Sequence, residues 1–455
     1  MTELGIGIDF GTSNTTVAVF DGRQITYLKL DNRSGKGIIM PTALYLDREG
    51  SPSVGAEALV RCLEDNTGRK IVLSQKDVGS VTVHMGEMDR DYFIERDRTF
   101  TTIVQGKIDS ELPGRLFRSM KSYLGDSGDH RFDVFGRKFR LEAILTIILR
   151  HIGGEIENQT KNIVKKIAVG RPVLYSGSTG DATSLALERM KTICANAGLG
   201  DVSFLMEPEA AALSYLHSHE SAEGENILVV DFGGGTLDLC IMTRENKRYS
   251  LKAVAGVPRA GDNIDRLIYR HKIFPFLGDG LGNAEDFHFS EFEENLLNWQ
   301  STYLLNQSRF MEKINNLIKS GGQNGEKGKR LKKLIRLNGS FQLIELIEEA
   351  KIALSTVEMT SIIMEEIDLS VEFSRTDFKD ILEPVFKDIT AVVAEVLDKA
   401  GLDKRDLSRV LCTGGSSRIP AVRQHLAELL GQEPEEWDSF RGIAAGLAVA
   451  SYQGL

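Results

Sequence analysis

Cysteine is scarce in this chain. Four residues in 455, Cys62, Cys194, Cys240 and Cys412, form no CxxC pair. Neither a disulfide framework nor a zinc site is therefore expected, and a reducing compartment is. Proline is scarce too, at 10 residues against 44 glycines. That ratio excludes a proline-punctuated linker protein and suits backbone brought close to a ligand. Basic excess is missing: 55 Lys+Arg stand against 65 Asp+Glu, for a net charge of −10. Without a positive field, nucleic acid is not an expected partner. Long apolar runs are absent as well. A stretch such as Ala143 to Leu149 falls far short of the ~20 residues that span a bilayer. No basic region precedes the apolar residues before Asp9, so no signal peptide is expected. The expectation is a cytoplasmic protein with no membrane partner. Its ordinary balance of 26% charged and 42% hydrophobic residues suits two to four compact units.

What is present begins with a repeated pattern. Leu4 to Phe10 is apolar and glycine-spaced, Gly11 to Asn14 is a polar turn, Thr15 to Phe20 is β-branched, and Gln24 to Leu30 follows an Asp21-Gly22 hairpin signal. Half a chain later the pattern returns as Asn226 to Phe232, a glycine turn at Gly233 to Thr236, and Leu237 to Met242. Each unit carries Asp-Phe-Gly at the end of its first strand, which points to two related lobes. Between them, residues 50–115 hold short β-rich runs at Ile71 to Leu73, Val81 to His84 and Phe100 to Val104. Leu141 to Ile156 and Leu185 to Ala197 have helical spacing, the second stopping at Gly198, and Lys166 to Val173 reads as a strand. From Phe287 to Leu354 the chain reads as helical, with a loop over Ser320 to Gly325. The basic arm after it (Lys327, Lys329, Arg330, Lys332, Lys333, Arg336) is expected to be a solvated face. Ser374 and Asp377 form a capping-box pattern before one long helix, with an apolar stripe from Phe378 to Leu397 and a kink at Pro384.

The two turns carry the chemistry. In Asp9-Phe10-Gly11-Thr12-Ser13-Asn14 a glycine lets backbone N–H groups approach an anion, and Thr12 and Ser13 add hydroxyls. Asp231-Phe232-Gly233-Gly234-Gly235-Thr236-Leu237-Asp238 repeats this with three glycines. Two such turns on opposing halves make a two-sided phosphate clamp, with Asp9 and Asp231 facing one magnesium held through water. No GxxxxGK[ST] occurs and no GxGxxG opens a helix, so a P-loop and a dinucleotide fold are both disfavoured. A third glycine turn, Gly414-Gly415-Ser416-Ser417-Arg418, follows an apolar strand, and its arginine suits stacking on a flat base. A fourth element sets Glu348, Lys351 and Ser355 at i, i+3 and i+7, on one helix face. His217 and His219 read as surface-loop residues, and Trp299 and Trp437 as packing residues.

Taken in order, DFGTSN, MEPEAAA (Met206 to Ala212), DFGGGTLD, AGDNID (Ala260 to Asp265), EEAKxxLS and GGSSRIP resemble the nucleotide-binding domain of the DnaK-type 70-kDa heat-shock chaperones. The resemblance is closest to the short bacterial YegD-like branch. It implies an α/β actin-like ATPase fold, with two ribonuclease-H-like lobes flanking a nucleotide cleft. Lobe I would be 1–220 plus 433–455, with an insert at about 40–115, and lobe II 221–432, with a helical insert at about 261–380. ATP or ADP with Mg²⁺ would be the ligands. Asp9, Asp231 and Asp238 would serve the metal, while Gly11, Thr12, Ser13, Asn14, Gly233, Gly234, Gly235 and Thr236 would hold phosphates. Lys121 would stabilise the transferring phosphoryl group and Glu207 would orient the attacking water. Glu348, Lys351 and Ser355 would bind adenosine, and Gly414, Gly415, Ser416, Arg418 and Asp438 would line the base pocket.

The chain departs from the family at three places. Ile352 stands where a second adenine-stacking arginine is usual, Ile39 replaces a threonine near the γ-phosphate, and Gly170-Arg171-Pro172 displaces the relay proline. With the chain ending at Leu455, client-peptide binding by the family's usual site is not expected. The implied function is a slow ATPase, with protein partners reached through the inserts. A small-molecule kinase of the same superfamily and a nucleotide-gated scaffold or filament protein are the rival readings.

Overall fold

The structure, a computed structural model, describes residues 3–32, 37–66, 68–69, 71–87, 96–161, 164–175, 177, 181–200, 202–219, 222–245, 248–281, 287–298, 300–438 and 441–455. Its centre is a pair of sheets with one topology. In the first, Glu3–Phe10 pairs antiparallel with Asn14–Phe20, which pairs with Ile25–Tyr27. Val164–Arg171 and then Val202–Met206 add in parallel on the other side, and Met40–Pro41 joins Asn14–Phe20. In the second, Asn226–Phe232 pairs antiparallel with Leu237–Glu245, which pairs with Arg248–Val257. Arg409–Thr413 and then Glu435–Glu436 add in parallel. The repeated Asp-Phe-Gly units are thus the matching first hairpins of two sheets. The run Gln24 to Leu30 supplies only Ile25–Tyr27 as strand.

Two helices, Glu207–Ser218 and Gly442–Gln453, join the sheets. Ala210, Ala211, Ala212, Ile443 and Leu447 pack with Ile227, Val229, Cys240 and Leu411 of the second sheet. Gly442–Gln453 also lies across Glu3–Phe10, and glycine is what allows it. A Cβ on Gly7 would sit 2.1 Å from the Ala444 carbonyl oxygen, and one on Gly446 would sit 1.7 Å from that of Ala210. Part of the glycine excess therefore serves helix packing and not a ligand.

The first sheet carries a small three-stranded sheet (Ala43–Asp47, Pro52–Val54, Gly114–Arg118), helix Ala56–Asn66 and a long ribbon. The separate β-rich runs of residues 71–104 are the two strands of that ribbon, Leu73–Glu87 and Arg96–Asp109. The second sheet carries helices from Gly261–Ile268 to Ser340–Ala353 and the hairpin Met359–Met364/Leu369–Ser374.

Several expectations need correction. The loop at 320–325 shrinks to Ser320 and Gly321, because Gly322–Arg336 is already helix. Gly325 and Gly328 lie against Ile318 so closely that a Cβ on either would stand 3.0 Å from it. Gly325, read as loop, thus belongs with Gly328 to a helix-packing seam, while Gly321 stays in the turn. The long helix after Ser374 is two, Arg375–Ile381 and Glu383–Ala400. Pro384 falls in the first turn of the second, where its missing N–H costs nothing, so it starts a helix and does not kink one. The capping box is present in full, and Phe378, Ile381, Leu382, Val385, Phe386, Ile389 and Val396 are buried. His217 ends helix Glu207–Ser218 and meets Phe20 edge-on, while His219 stacks on Tyr215, so neither hangs in a free loop. Trp437 packs in the seam between the sheets, and Trp299 lies outside the described residues. On the basic arm, Lys329 pairs with Glu326, Lys333 with Asp368, and Lys332 with Asn315. No helix among the described residues is long and apolar enough to cross a membrane.

Candidate functional site

Both glycine turns close in the same way: Gly11 N–H donates to the Asn14 carbonyl at 3.0 Å, and Gly233 N–H to the Thr236 carbonyl at 3.2 Å. Each turn leaves a strand whose last residues are buried, so the turn is held at the sheet's end while its backbone stays open. The two turns meet. A Cβ on Gly234 would lie 2.2 Å from Ser13 Oγ, and one on Gly235 would lie 2.6 Å from Thr12 Oγ1. Around them is a cleft with about 840 Å³ of empty space, whose wall includes Asp9, Lys121, Glu207, Asp231 and the turn residues Gly11 to Asn14 and Gly233 to Thr236.

The charges in the cleft are concentrated and buried. Lys121 Nζ pairs with Glu207 Oε1 at 2.7 Å, with both side chains nearly inaccessible. Burial pulls the lysine pKa down, but Glu207, Tyr175 and Asp9 more than offset it, so the ammonium persists. Burial, then Glu207, pushes Asp9 up to about 7 and Asp238 up to about 7, and raises Asp231 as well. Asp238 Oδ1 accepts from Val173 N–H at 2.9 Å, while its Oδ2 is buried with no partner among the described residues. Asp9 and Asp231 line the cleft, with Asp238 off its wall, and carboxylates that burial holds against ionisation suit a hydrated cation. No group of three His, Cys, Asp or Glu side chains among the described residues converges on one direct-ligation point.

Sequence reasoning and structure part company on the adenosine side. Gly414 and Gly415 reach the cleft wall, whereas Glu348, Lys351, Ser355, Ser416, Arg418 and Asp438 do not. Most are turned onto protein partners. Arg118 takes Glu348 at 2.7 Å and also Glu345, Asp265 takes Lys351 at 2.6 Å, and Glu436 takes Arg418 at 3.1 Å. Asp438 pairs with Arg441, and Ser416 Oγ donates to the Gly233 carbonyl at 2.9 Å. Helix Ser340–Ala353 ends two residues before Ser355, whose N–H donates to the Ile352 carbonyl at 3.0 Å.

Three residues were missed. Asp262 stands between Ser13 Oγ at 3.5 Å and Ser119 Oγ at 3.2 Å, which ties the second half to the first turn. The Ala260 to Asp265 motif marked the place without marking the role. Arg118 gave no signal, because its partners lie more than 200 positions away. Tyr175, at the end of the run entering a Ser/Gly-rich loop, is buried on the cleft wall.

A sequence model of the Hsp70 protein family matches residues 5–279 and 330–451. The chain belongs to that family. The Hsp70 relatives it resembles include Chaperone protein DnaK of Thermus thermophilus, 24% identical over 440 residues covering 94% of this chain and 57% of the relative. Chaperone protein DnaK of Deinococcus proteolyticus is 24% identical over 98% of this chain and 58% of its own. That of Nitrosopumilus maritimus is 22% identical over 98% and 55%. The chain thus spans a little over half the length of these Hsp70 relatives. The mixed α/β architecture with paired sheets is that of the Hsp70 actin-like ATPase fold.

Proposed function

We propose that the cleft binds ATP with magnesium and hydrolyses it slowly, as an Hsp70-type nucleotide-binding unit of the YegD-like branch. The observation that carries this reading is the meeting of two matching glycine turns, one from each sheet, beside a buried Lys121–Glu207 pair. Open backbone N–H groups with Thr12, Ser13 and Thr236 hydroxyls suit phosphate oxygens. Asp9 and Asp231, with Asp238 behind them, would hold Mg²⁺ through its waters, and the ion supplies charge neutralisation on the phosphates. Glu207 then orients the attacking water, and Lys121 offsets charge developing on the transferring phosphoryl group. Glu348, Lys351 and Ser355, with Ser416, Arg418 and Asp438, are proposed for the adenosine end, which requires Glu348, Lys351 and Arg418 to exchange a protein partner for the ligand. The two sheets are proposed as the centres of two lobes divided near residues 220 and 432, in a cytoplasmic protein.

Phosphate release from Mg·ATP, measured with and without candidate hydroxyl acceptors and paired with sedimentation in ATP, tests the reading. Slow release that no acceptor accelerates, from a protein that stays in the supernatant, is expected. Acceptor-dependent turnover would identify a kinase, and ATP-dependent pelleting a filament protein.

A further inference from the structure

The phosphate-site roles proposed above leave one polar atom on the cleft wall unused. Tyr175 is 7% exposed, and its ring is anchored in the first core with Leu124, Met190, Ile193 and Cys194. Its hydroxyl is buried with no hydrogen-bond partner among the described residues, although the side chain lines the cleft beside Lys121 and Glu207. A buried phenol usually finds an acceptor, and one without it bears a desolvation penalty. Glu207, whose Oε1 accepts from Lys121, makes no hydrogen bond to the phenol. Nor is the phenol a base: burial raises it to about 12, Lys121 and Arg171 only partly opposing, so it is a neutral O–H donor at neutral pH.

What the cleft binds can supply the acceptor. Tyr175, Lys121 and Glu207 line the same cleft, so a ligand atom that reaches the ammonium enters the space the phenol also lines. In a nucleoside triphosphate held by the two turns, that atom belongs to the terminal phosphoryl group. We propose that Tyr175 Oη donates a hydrogen bond to a terminal phosphoryl oxygen, making Tyr175 a further catalytic residue and a discriminator of triphosphate from diphosphate. The proposal rests on the nucleotide reading of the cleft.

Tyr175→Phe removes the hydroxyl and keeps the ring. Calorimetry of wild type and variant with Mg·ATP and Mg·ADP, together with single-turnover phosphate release, tests the role. Y175F should bind ATP about ten- to a hundredfold more weakly, as for one lost hydrogen bond to a charged group, with ADP affinity unchanged. Phosphate release should slow by about ten- to a hundredfold, toward the loss seen when one oxyanion donor is removed. Without ligand, the variant should melt no lower than wild type, because it loses only an unsatisfied donor. A lower melting temperature would show a structural hydroxyl and overturn the proposal. So would equal losses for ATP and ADP, or no loss for either, in a variant of a wild type that binds both. If wild type binds both nucleotides but releases no phosphate, the change in the ATP:ADP affinity ratio decides alone. A wild type that binds neither nucleotide overturns the reading of the cleft and this proposal together.

Discussion

At the residue scale, the Lys121–Glu207 pair couples stability to chemistry. Both groups are buried, so removing the lysine leaves a carboxylate with no cation. Lys121→Met should cost about 3–5 kcal/mol in denaturant unfolding and should abolish most phosphate release. Adding Glu207→Gln should recover most of the stability and none of the turnover. If the double variant is as unstable as the single, the pair is not what the lysine is holding. A second residue prediction concerns Ile352, which is 61% exposed and sits where the family resemblance implies an adenine-stacking arginine. Ile352→Arg should tighten ATP and ADP alike by about two- to thirtyfold, the worth of ~0.5–2 kcal/mol of cation–π contact. Unchanged affinities by calorimetry would show that this helix end does not face the base. These cases also mark what could be read from sequence. Asp9, Gly234 and Asp231 were legible because each turn is contiguous and its chemistry is local. The engagement of Glu348 by Arg118 was not, since nothing near either residue announces the other.

At the element scale, capping and tight-turn signals held, while long-range strand pairing was not legible and glycine and proline punctuation misled. The Ser374–Asp377 box is realised by Asp377 N–H donating to Ser374 Oγ at 3.1 Å and Ser374 N–H donating to Asp377 Oδ2 at 3.0 Å. Ser374→Ala should cost about 1 kcal/mol, read as a shift in denaturant midpoint with unchanged slope. The ribbon Leu73–Glu87/Arg96–Asp109 was illegible as a unit, because β-rich runs do not declare their register across an intervening segment. Gly325 misled for the opposite reason: the composition that marks a loop also marks close helix packing. Gly7 makes that distinction testable. Its Cβ would strike the Ala444 carbonyl at 2.1 Å, backbone that cannot swing aside. Gly7→Ala should destabilise by about 1–3 kcal/mol, whereas Gly→Ala at Gly154, with nothing within 4 Å in mid-helix, should stabilise by about 0.5–1 kcal/mol. Equal effects at the two positions would show that helix Gly442–Gln453 is not pressed onto the first strand.

At the scale of the whole molecule, the two halves meet on both sides of the site as well as across it at Asp262. The helices Glu207–Ser218 and Gly442–Gln453 join the sheets on one side of the site. On the other, Phe341 packs among Ala43, Tyr45 and Leu116, Gln300 Nε2 donates to the Leu116 carbonyl at 3.2 Å, and Arg118 pairs with Glu345 and Glu348. The first junction is a broad apolar seam that includes Ala210, Ile227, Val229 and Leu447. The second rests on a few apolar contacts, the Gln300 hydrogen bond and one arginine three residues from Lys121. On the proposed reading of the cleft, it is the junction expected to part as a nucleotide enters or leaves. Arg118→Ala should therefore speed both association and dissociation of a fluorescent ADP about tenfold in stopped flow, as expected for ~1.4 kcal/mol lost from a closed state. A gate of this kind leaves Kd nearly unchanged, because both rates rise together. If dissociation alone accelerates, Arg118 holds the ligand and not the halves. If neither rate moves, the nucleotide path does not run past this junction.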